Sequence, residues 1–290
     1  MVSIITINYN GWQDTCELLT SLKEYETYPY EVIVVDNASL GDDVERIMTC
    51  HPEAKIVRSE NNLGFAGGNN LGYKESKGEY IFFLNNDTVI KTPVLEALVR
   101  RLKSPEIGGV SPMICSYYPP YNLQYYGYQK LTPITLRHCT PYDSLHLEKY
   151  FADREIEVMH GAAMMLPRKV FNEVGRMAEC YFLYFEEFDL SYKVLNHGYR
   201  IWYDPSVLIY HKEGTKKGKG LVPFREYYLV RGRILFARRF LSGVNKVLSL
   251  CFLLGVVSSR NIFKYLLQGR WKSIKAVLQG VISGLFSSKY

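Results

Sequence analysis

Five consecutive apolar residues, Tyr80-Ile81-Phe82-Phe83-Leu84, stop abruptly at Asn85-Asn86-Asp87-Thr88. A strand that is apolar on both faces belongs inside a sheet covered on both sides, and the carboxyl tips of such strands are where α/β sheets carry chemistry. The run therefore delivers a carboxylate, Asp87, to the edge of a buried sheet. Asn-Asp-Thr is also ordinary turn and helix-cap chemistry, with Asp87 or Thr88 opening a helix over Pro93–Lys103. The flanking sequence decides between the two.

Val2–Ile7 is a short β-branched run followed by the turn cluster Asn8-Tyr9-Asn10-Gly11 and an amphipathic stretch bearing Leu18, Leu19 and Leu22. Tyr30–Val35 repeats the buried-strand pattern and ends in Asp36-Asn37-Ala38-Ser39. Two parallel strands joined by a right-handed helical crossover put both tips on one side. A helix over Asp43–Cys50 and a strand over Ala54–Arg58 follow. The segment Asn61–Gly72 then holds four glycines and four asparagines in twelve residues. That density favours a ligand loop over a plain turn and cap, because glycine lets backbone amides approach a ligand closely. A helix through Tyr73–Ser76 leads back to the opening strand. No G-x-G-x-x-G follows the first strand, which counts against a dinucleotide enzyme. Tyr9, Asp36 and Asp87 thus converge, with one Gly/Asn loop, on the carboxyl edge of a mixed, mainly parallel sheet with helices on both faces. Phosphate held there would call for a divalent cation, and Asp87 is an oxygen ligand suited to Mg²⁺ or Mn²⁺.

Three motifs, Val32-Ile33-Val34-Val35-Asp36-Asn37-Ala38-Ser39, Asn62-Leu63-Gly64-Phe65-Ala66-Gly67-Gly68-Asn69-Asn70 and Phe83-Leu84-Asn85-Asn86-Asp87-Thr88, together resemble glycosyltransferase family two in its rhamnosyltransferase-like branch. Their order and spacing carry the likeness. It implies a Rossmann-like GT-A fold, a nucleotide-diphospho-sugar donor and inversion at the anomeric carbon. By the same resemblance Ile7, Tyr9 and Asp36 hold the base and ribose, Asn69 and Asn70 support the diphosphate pocket, and Asp87 ends the D-x-D metal motif. Asn85 and Asn86 replace acids of that motif, which implies a looser metal site with Asn85 beside the donor.

The middle of the chain is less regular. Gly109–Met113 predicts a further strand, and the tyrosine-rich run Tyr117–Tyr128 suits either an acceptor-facing loop or an irregular packed excursion. At Val158–Arg168 the small residues Gly161–Ala163 let a partner approach the backbone, in a strand that borders the acceptor in the family; His160 reads as structural. Val170–Gly175 predicts a helix with a glycine cap. In Tyr184-Phe185-Glu186-Glu187-Phe188-Asp189 three carboxylates fall within four residues. Such a cluster suits a helix start, and it also suits groups that ionise differently. It resembles the Glu-Asp-x-Asp segment that supplies the family's catalytic base. Glu187 then stands as base, Asp189 as the residue orienting acceptor or loop, and Glu186 as the third.

Two short strands, Tyr199–Tyr203 and Val207–His211, come next. The resemblance makes His211 a metal or diphosphate ligand. Lys216, Lys217 and Lys219 in the Gly214–Gly220 loop suit a lid over the diphosphate or a solvated surface. Pro223–Phe240 resembles the Tyr-Tyr-x-x-Arg-Asn helix of this branch, with Arg231 directed to the donor or a phospholipid acceptor.

Charge is divided along the chain. From His211 onward there are 16 Lys/Arg and two Glu, whereas the whole chain carries +6, so residues 1–210 are net acidic. Leu241–Tyr290 has seven Lys/Arg and no acid. Its longest apolar stretch, Val247–Val257, is short of the roughly 20 residues that span a bilayer. Basic residues alternating with apolar ones predict helices lying at a membrane surface, with packing on the catalytic domain or a homodimer partner as the other use. The pattern fits lipid better than nucleic acid. The six cysteines are scattered without metal spacing and read as free thiols, and no basic leader precedes the first strand. These point to the cytoplasm, at the inner face of the plasma membrane. The expected organisation is a catalytic domain over 1–222, with a nucleotide-binding half over 1–110 and an acceptor half over 111–222, and a basic helical region over 223–290. The expected activity is transfer of a sugar, first rhamnose from dTDP-rhamnose, otherwise a UDP-sugar, to a saccharide or lipid-linked saccharide. A catalytically silent nucleotide-sugar-binding protein is the alternative that Asn85, Asn86 and Glu187 motivate.

Overall fold

A computed structural model describes residues 1–137, 150–212 and 221–287. The first half alternates β1 (Val2–Asn8), α1 (Trp12–Tyr25), β2 (Tyr30–Asp36), α2 (Asp43–Cys50), β3 (Lys55–Arg58), α3 (Gly64–Lys74) and β4 (Tyr80–Leu84). Then come β5 (Thr88–Val89), α4 (Leu95–Leu102), β6 (Ile107–Ser116), β7 (Leu123–Tyr125), β8 (Arg154–Ile156), β9 (Ala163–Pro167), α5 (Arg168–Glu173), α6 (Glu186–Asn196) and β10 (Arg200–His211). The C-terminal helices are α7 (Leu221–Phe240), α8 (Gly243–Cys251), a π-helical segment (Phe252–Ser258), α9 (Ser259–Leu267) and α10 (Trp271–Phe286).

The strands form one sheet in the order β3-β2-β1-β4-β9-β6-β10-β5. Strand β1 is parallel to β2 and β4, and β6 is parallel to β10. Strand β9 lies antiparallel between β4 and β6. The expected mixed, mainly parallel sheet is thus present, and β4 sits in its interior with no residue more than 8% exposed. Both faces are covered, as alternation along β2 shows. Ile33 and Val35 face α3, where a Cβ on Gly72 would lie 3.7 and 2.9 Å from their Cγ2 atoms. Val34, between them, packs with Leu19 of α1 and Ile47 of α2.

Four expectations change. The Gly/Asn segment is mostly helix: α3 begins at Gly64, and its glycines serve close packing on the sheet, since a Cβ at Gly72 would also lie 2.5 Å from Ile5. Neither Asp87 nor Thr88 opens α4. Glu26, 69 residues upstream of Leu95, accepts from the Val94 and Leu95 amides at 2.9 and 3.0 Å and satisfies the orphan donors of that helix. The two short strands near the end are one strand, β10, interrupted by an irregularity between Asp204 and Leu208. Finally, Gly243–Leu267 is one continuous helix of 25 residues, long and apolar enough to cross a membrane by length and composition.

A second apolar cluster joins the C-terminal helices to the rest. Tyr181 and Phe185 pack with Val230, Ile234 and Phe236 of α7, and with Leu253, Val257, Tyr265 and Val277 beyond it. The Lys216, Lys217, Lys219 loop and Cys139 lie outside the described residues. The tyrosine-rich run is divided: Tyr125 is fully buried, whereas Tyr118 and Tyr121 are about half exposed.

Candidate active site

The tips of β1 and β2 are bound by a buried polar network. Asn8 stands opposite Asp36 in the parallel register. Its Nδ2 faces Asp36 Oδ1, Ser39 Oγ and Asp43 Oδ1 at 3.1, 3.0 and 2.9 Å, and its Oδ1 accepts from the Thr15 hydroxyl at 2.8 Å. A carboxamide offers donors and an acceptor at once, so it can hold two buried carboxylates beside a hydroxyl. Asn37 extends the network, accepting from the Leu63 amide at 2.9 Å and donating to Asn62 and the Gly64 carbonyl. Ile7 packs at Gly68 of α3, and Tyr9 projects at the tip, 48% exposed. Asn70 is engaged within the protein, donating to Met177 O at 2.9 Å and Glu179 Oε1 at 2.8 Å. Asn69 beside it is buried with its Nδ2 unpartnered among the described residues.

At the tip of β4 the two asparagines part. Asn86 donates to Thr15 Oγ1 at 3.0 Å and to Gly11 O, tying the turn to the start of α1. The Asn85 amide donates to Ala162 O at 2.9 Å, which fixes this tip beside the start of β9. Asp87 meets His211 from the far end of β10, Oδ1 to Nε2 at 3.1 Å. Burial pushes the Asp87 carboxyl up, but the hydrogen bond and charge of His211 outweigh it and hold the group below its ordinary value. Gln124 accepts at 2.9 Å from the other ring nitrogen, and its own amide nitrogen donates to the His211 carbonyl. That pairing occupies Nδ1 and orients the ring so that Nε2 faces Asp87; Nε2 is the nitrogen that would reach a metal. Lys212 anchors the same strand end: its amide donates to Asp87 O at 2.9 Å, and its buried ammonium bridges Asp14 and Glu17 at 2.7 and 2.6 Å.

A divalent ion fits this pair. No cluster of three or more His, Cys, Asp or Glu ligands forms among the described residues. Mg²⁺ and Mn²⁺ are commonly held by one or two protein groups together with substrate phosphates and water, so one carboxylate and one imidazole are a sufficient protein share.

The carboxylate cluster opens α6. Phe182, Tyr184 and Phe185, immediately before it, all have positive φ (66°, 65° and 76°), a conformation costly for residues with side chains. Packing holds them there. The Phe65 amide donates to Phe182 O at 2.6 Å, and Gly64 leaves the room, since a Cβ on it would sit 2.2 Å from that oxygen. From the other side, α7 closes at Gly232, where a Cβ would lie 3.0 Å from Phe185 and 3.1 Å from Tyr184 O. Thus Gly232, where the branch pattern has Asn, is the residue that allows contact.

The three acids have different surroundings. Asp189 is fully buried and ion-paired to Arg239 Nε at 2.8 Å and Lys193 Nζ at 3.4 Å, so it ties α6 to α7. Glu186 is buried; desolvation, then the Glu187 charge, pushes its carboxyl well above the ordinary value. Glu187 is partly exposed as a residue, yet its Oε2 is shielded and unpartnered. Burial pushes it up to about 7, against the lowering effect of the amides of Glu187 and Phe185.

One segment links this cluster to the metal pair. A Cβ on Gly161 would lie 3.9 Å from both Glu187 Cβ and Phe65. On one side of Gly161, Ala162 holds Asn85; on the other, the His160 ring lies 6.3 Å from that of His211. His160 Nδ1 accepts from the Ala162 amide at 3.1 Å, a structural bond within the turn. Glu187, Asn85, Asp87 and His211 are therefore gathered around residues 160–162. Arg231 is not among them: it donates to Ser283 Oγ at 2.9 Å and to the Cys180 and Tyr181 carbonyls. Asn8 and Gln124 were not singled out by the sequence. Asn8 had a signal in its place at a strand tip, whereas Gln124, inside the tyrosine-rich run, had none.

Over 98% of its length the chain is 24% identical to the low-salt glycan biosynthesis hexosyltransferase Agl10 of Haloferax volcanii, covering 91% of that protein. It is 27% identical to the dTDP-rhamnosyl transferase RfbF of Shigella flexneri, with 77% of this chain and 74% of RfbF aligned. It is 22% identical to an N-acetylglucosaminyl-diphospho-decaprenol L-rhamnosyltransferase of Mycobacterium tuberculosis, over 76% and 78% of the two chains. Among solved structures, GalNAc-T7 with UDP, GalNAc and Mn²⁺ superimposes at a TM-score of 0.63 with 14% identity, over 91% of this chain and 58% of that one. The mannosyltransferase PcManGT of Pyrobaculum calidifontis, in complex with GDP-Man and Mn²⁺, gives 0.60 at 17% identity over 99% and 87%. These show the GT-A fold. The model of the family "Glycosyl transferase family 2" matches residues 3–175, so the chain belongs to glycosyltransferase family 2.

Proposed function

We propose that the protein is an inverting, metal-dependent glycosyltransferase that moves a sugar, first rhamnose from dTDP-rhamnose, onto a saccharide or lipid-linked saccharide in cell-surface polysaccharide assembly. UDP-linked sugars are the other donors the pocket would take. The observation that carries the reading is the convergence of Glu187, Asn85, Asp87 and His211 around residues 160–162.

Each group has a task its surroundings suit. Glu187, with its Oε2 unpartnered among the described residues and its carboxyl pushed up to about 7, takes a proton from an acceptor hydroxyl near neutral pH. The acceptor oxygen bonds to the anomeric carbon, the bond from that carbon to the diphosphate breaks, and the nucleoside diphosphate leaves with the electron pair. Asp87 and His211 would hold a divalent ion, which supplies charge neutralisation to the leaving diphosphate. Ile7, Tyr9 and Asp36 receive the base and ribose, and the unpartnered Asn69 amide supports the diphosphate side. Asn70, Asp189 and Arg231 act by holding the walls of the pocket.

The basic helical region places this head at a membrane surface, which we take to be the cytoplasmic face. Val244, Phe263, Leu267, Trp271 and Phe286 are all more than 60% exposed in a region of seven Lys/Arg and no acid.

Release of nucleoside diphosphate from a panel of dTDP- and UDP-sugars, with Mn²⁺ and a lipid-linked acceptor, tests the reading. Wild type should turn over one donor, and Asp87→Ala and Glu187→Gln should not. Undiminished release by Glu187→Gln would sink the choice of base. Nucleotide-induced thermal stabilisation without turnover, with the acceptor supplied, would favour a silent binding protein.

A further inference from the structure

Arg231 and Arg233 lie two residues apart on α7, and their surroundings differ. Arg231 is satisfied by protein groups. Arg233 makes no hydrogen bond or ion pair among the described residues, and its Nε is buried and unpartnered. It lines a cavity of about 240 Å³ between α7 and the long helix, together with Glu226, Leu253, Val257, Arg260 and Lys264. Three cations thus face one carboxylate, and that carboxylate is already engaged by Asn261 and Tyr265. Burial, then the positive charges of Arg137 and Arg260, pulls the Arg233 guanidinium below its usual range despite Glu226. A half-open cavity where a buried guanidinium meets two solvent-facing cations attracts an anion.

Two further features bear on which anion. The long helix widens beside the cavity: Phe252–Ser258 is π-helical, and the Ser258 hydroxyl donates to Leu253 O, five residues back, at 2.8 Å. Such turns interrupt a regular helix at a cost and recur at functional sites. In addition, Arg260, Phe263, Lys264 and Leu267 recur at helical spacing on one face of α9, with Phe263 62% and Leu267 73% exposed. The cations that line the cavity therefore share a face with bare apolar side chains. A free anion would use only the first; a lipid would cover both. The volume is below the ~300–1,000 Å³ of pockets that enclose whole small molecules. It suits a headgroup whose chains lie outside.

We propose that this cavity binds the phosphate headgroup of a membrane lipid, with Arg233, Arg260 and Lys264 as its cationic ligands and Phe263 and Leu267 against the chains. The site is separate from the transfer site and does not depend on which sugar is moved.

The test uses the full chain and monomeric short-chain phosphatidic acid, read as a shift in melting temperature, beside inorganic phosphate at the same concentrations. Wild type should be stabilised saturably by the lipid and much less by phosphate. Arg233→Gln should bind the lipid roughly tenfold more weakly, the scale of one lost charge-assisted hydrogen bond, and Arg233→Lys should recover part of that. Lys272→Gln/Lys275→Gln, on exposed positions of α10, should bind as wild type does. Stabilisation by UDP, read in parallel, should be unchanged in Arg233→Gln. Equal lipid response in Arg233→Gln and wild type overturns the site. An equal effect of phosphate and lipid overturns the lipid assignment, and an equal loss in the α10 variant means diffuse surface charge. If Arg233→Gln melts abnormally without ligand, Arg260→Gln/Lys264→Gln takes its place under the same criteria.

Discussion

The nucleotide side and the carboxylate side of the crevice are built on opposite terms. At the tips of β1 and β2, Asn8 alone gathers Thr15, Asp36, Ser39 and Asp43 by hydrogen bonds. At the start of α6, three left-handed residues lead into Glu186 and Glu187, each with a shielded Oε2 that has no hydrogen-bond partner among the described residues. The first arrangement keeps one shape, since a satisfied polar network in a low-dielectric setting is rigid. The second is costly to fold, and it leaves a carboxylate free to take a proton. Binding wants groups already in place, whereas proton transfer wants a group not yet committed.

That contrast can be broken at either end. The largest effect should come from Glu187→Gln, which retains size and loses the carboxylate we propose as base: transfer should fall by roughly 10²- to 10⁴-fold, with donor affinity kept, as single-turnover rates and nucleotide titration would show. On the satisfied side, Asn8→Ala removes the shared partner of two carboxylates and two hydroxyls. Urea unfolding should lose about 2–4 kcal/mol, and a loss near zero would mean that water replaces the carboxamide without penalty. A smaller effect of opposite sign sharpens the comparison. With its carboxyl raised from 4.5 to about 7 by burial, Glu187 binds a proton more tightly folded than unfolded. The stability this gives is complete below pH 4.5 and is lost as pH rises to about 7. Glu187→Gln should remove that decline and gain on the order of 2 kcal/mol at pH 8, after allowance for partial exposure. The same titration should make wild-type transfer rise through about pH 7. The smallest effect belongs to Arg58→Ala: Arg58 and Glu45 are both more than half exposed, and the melting temperature should not move measurably.

The sheet was the most legible part of the chain. Buried strands such as Tyr80–Leu84 announce themselves because both faces must be apolar, and the order of four such runs with helices between them leaves few topologies. The placement of Asp36 and Asp87 at strand tips was legible, because tip position follows from strand position. What escaped depends on distant pairs. Nothing near Leu95 says that Glu26 will cap α4. Glycine in Asn61–Gly72 marked close approach correctly, but the approach is of a helix to the sheet, and composition alone does not separate the two uses. Similarly, the motif at 184–189 revealed three acids without revealing that Arg239, 50 residues on, would claim Asp189.

Gly232 has a consequence for how such proteins can be recombined. Because α7 closes on Tyr184 and Phe185 through the space where a side chain would be, the helical region forms one wall of the turn that presents Glu187. Head and tail are therefore not interchangeable parts. A hybrid joined after residue 220 would place a foreign helix against three left-handed residues, and any larger side chain at the Gly232 position would push on the turn before the base. A change on the outer faces of the C-terminal helices leaves the Gly232 contact intact, whereas exchange of the whole region does not.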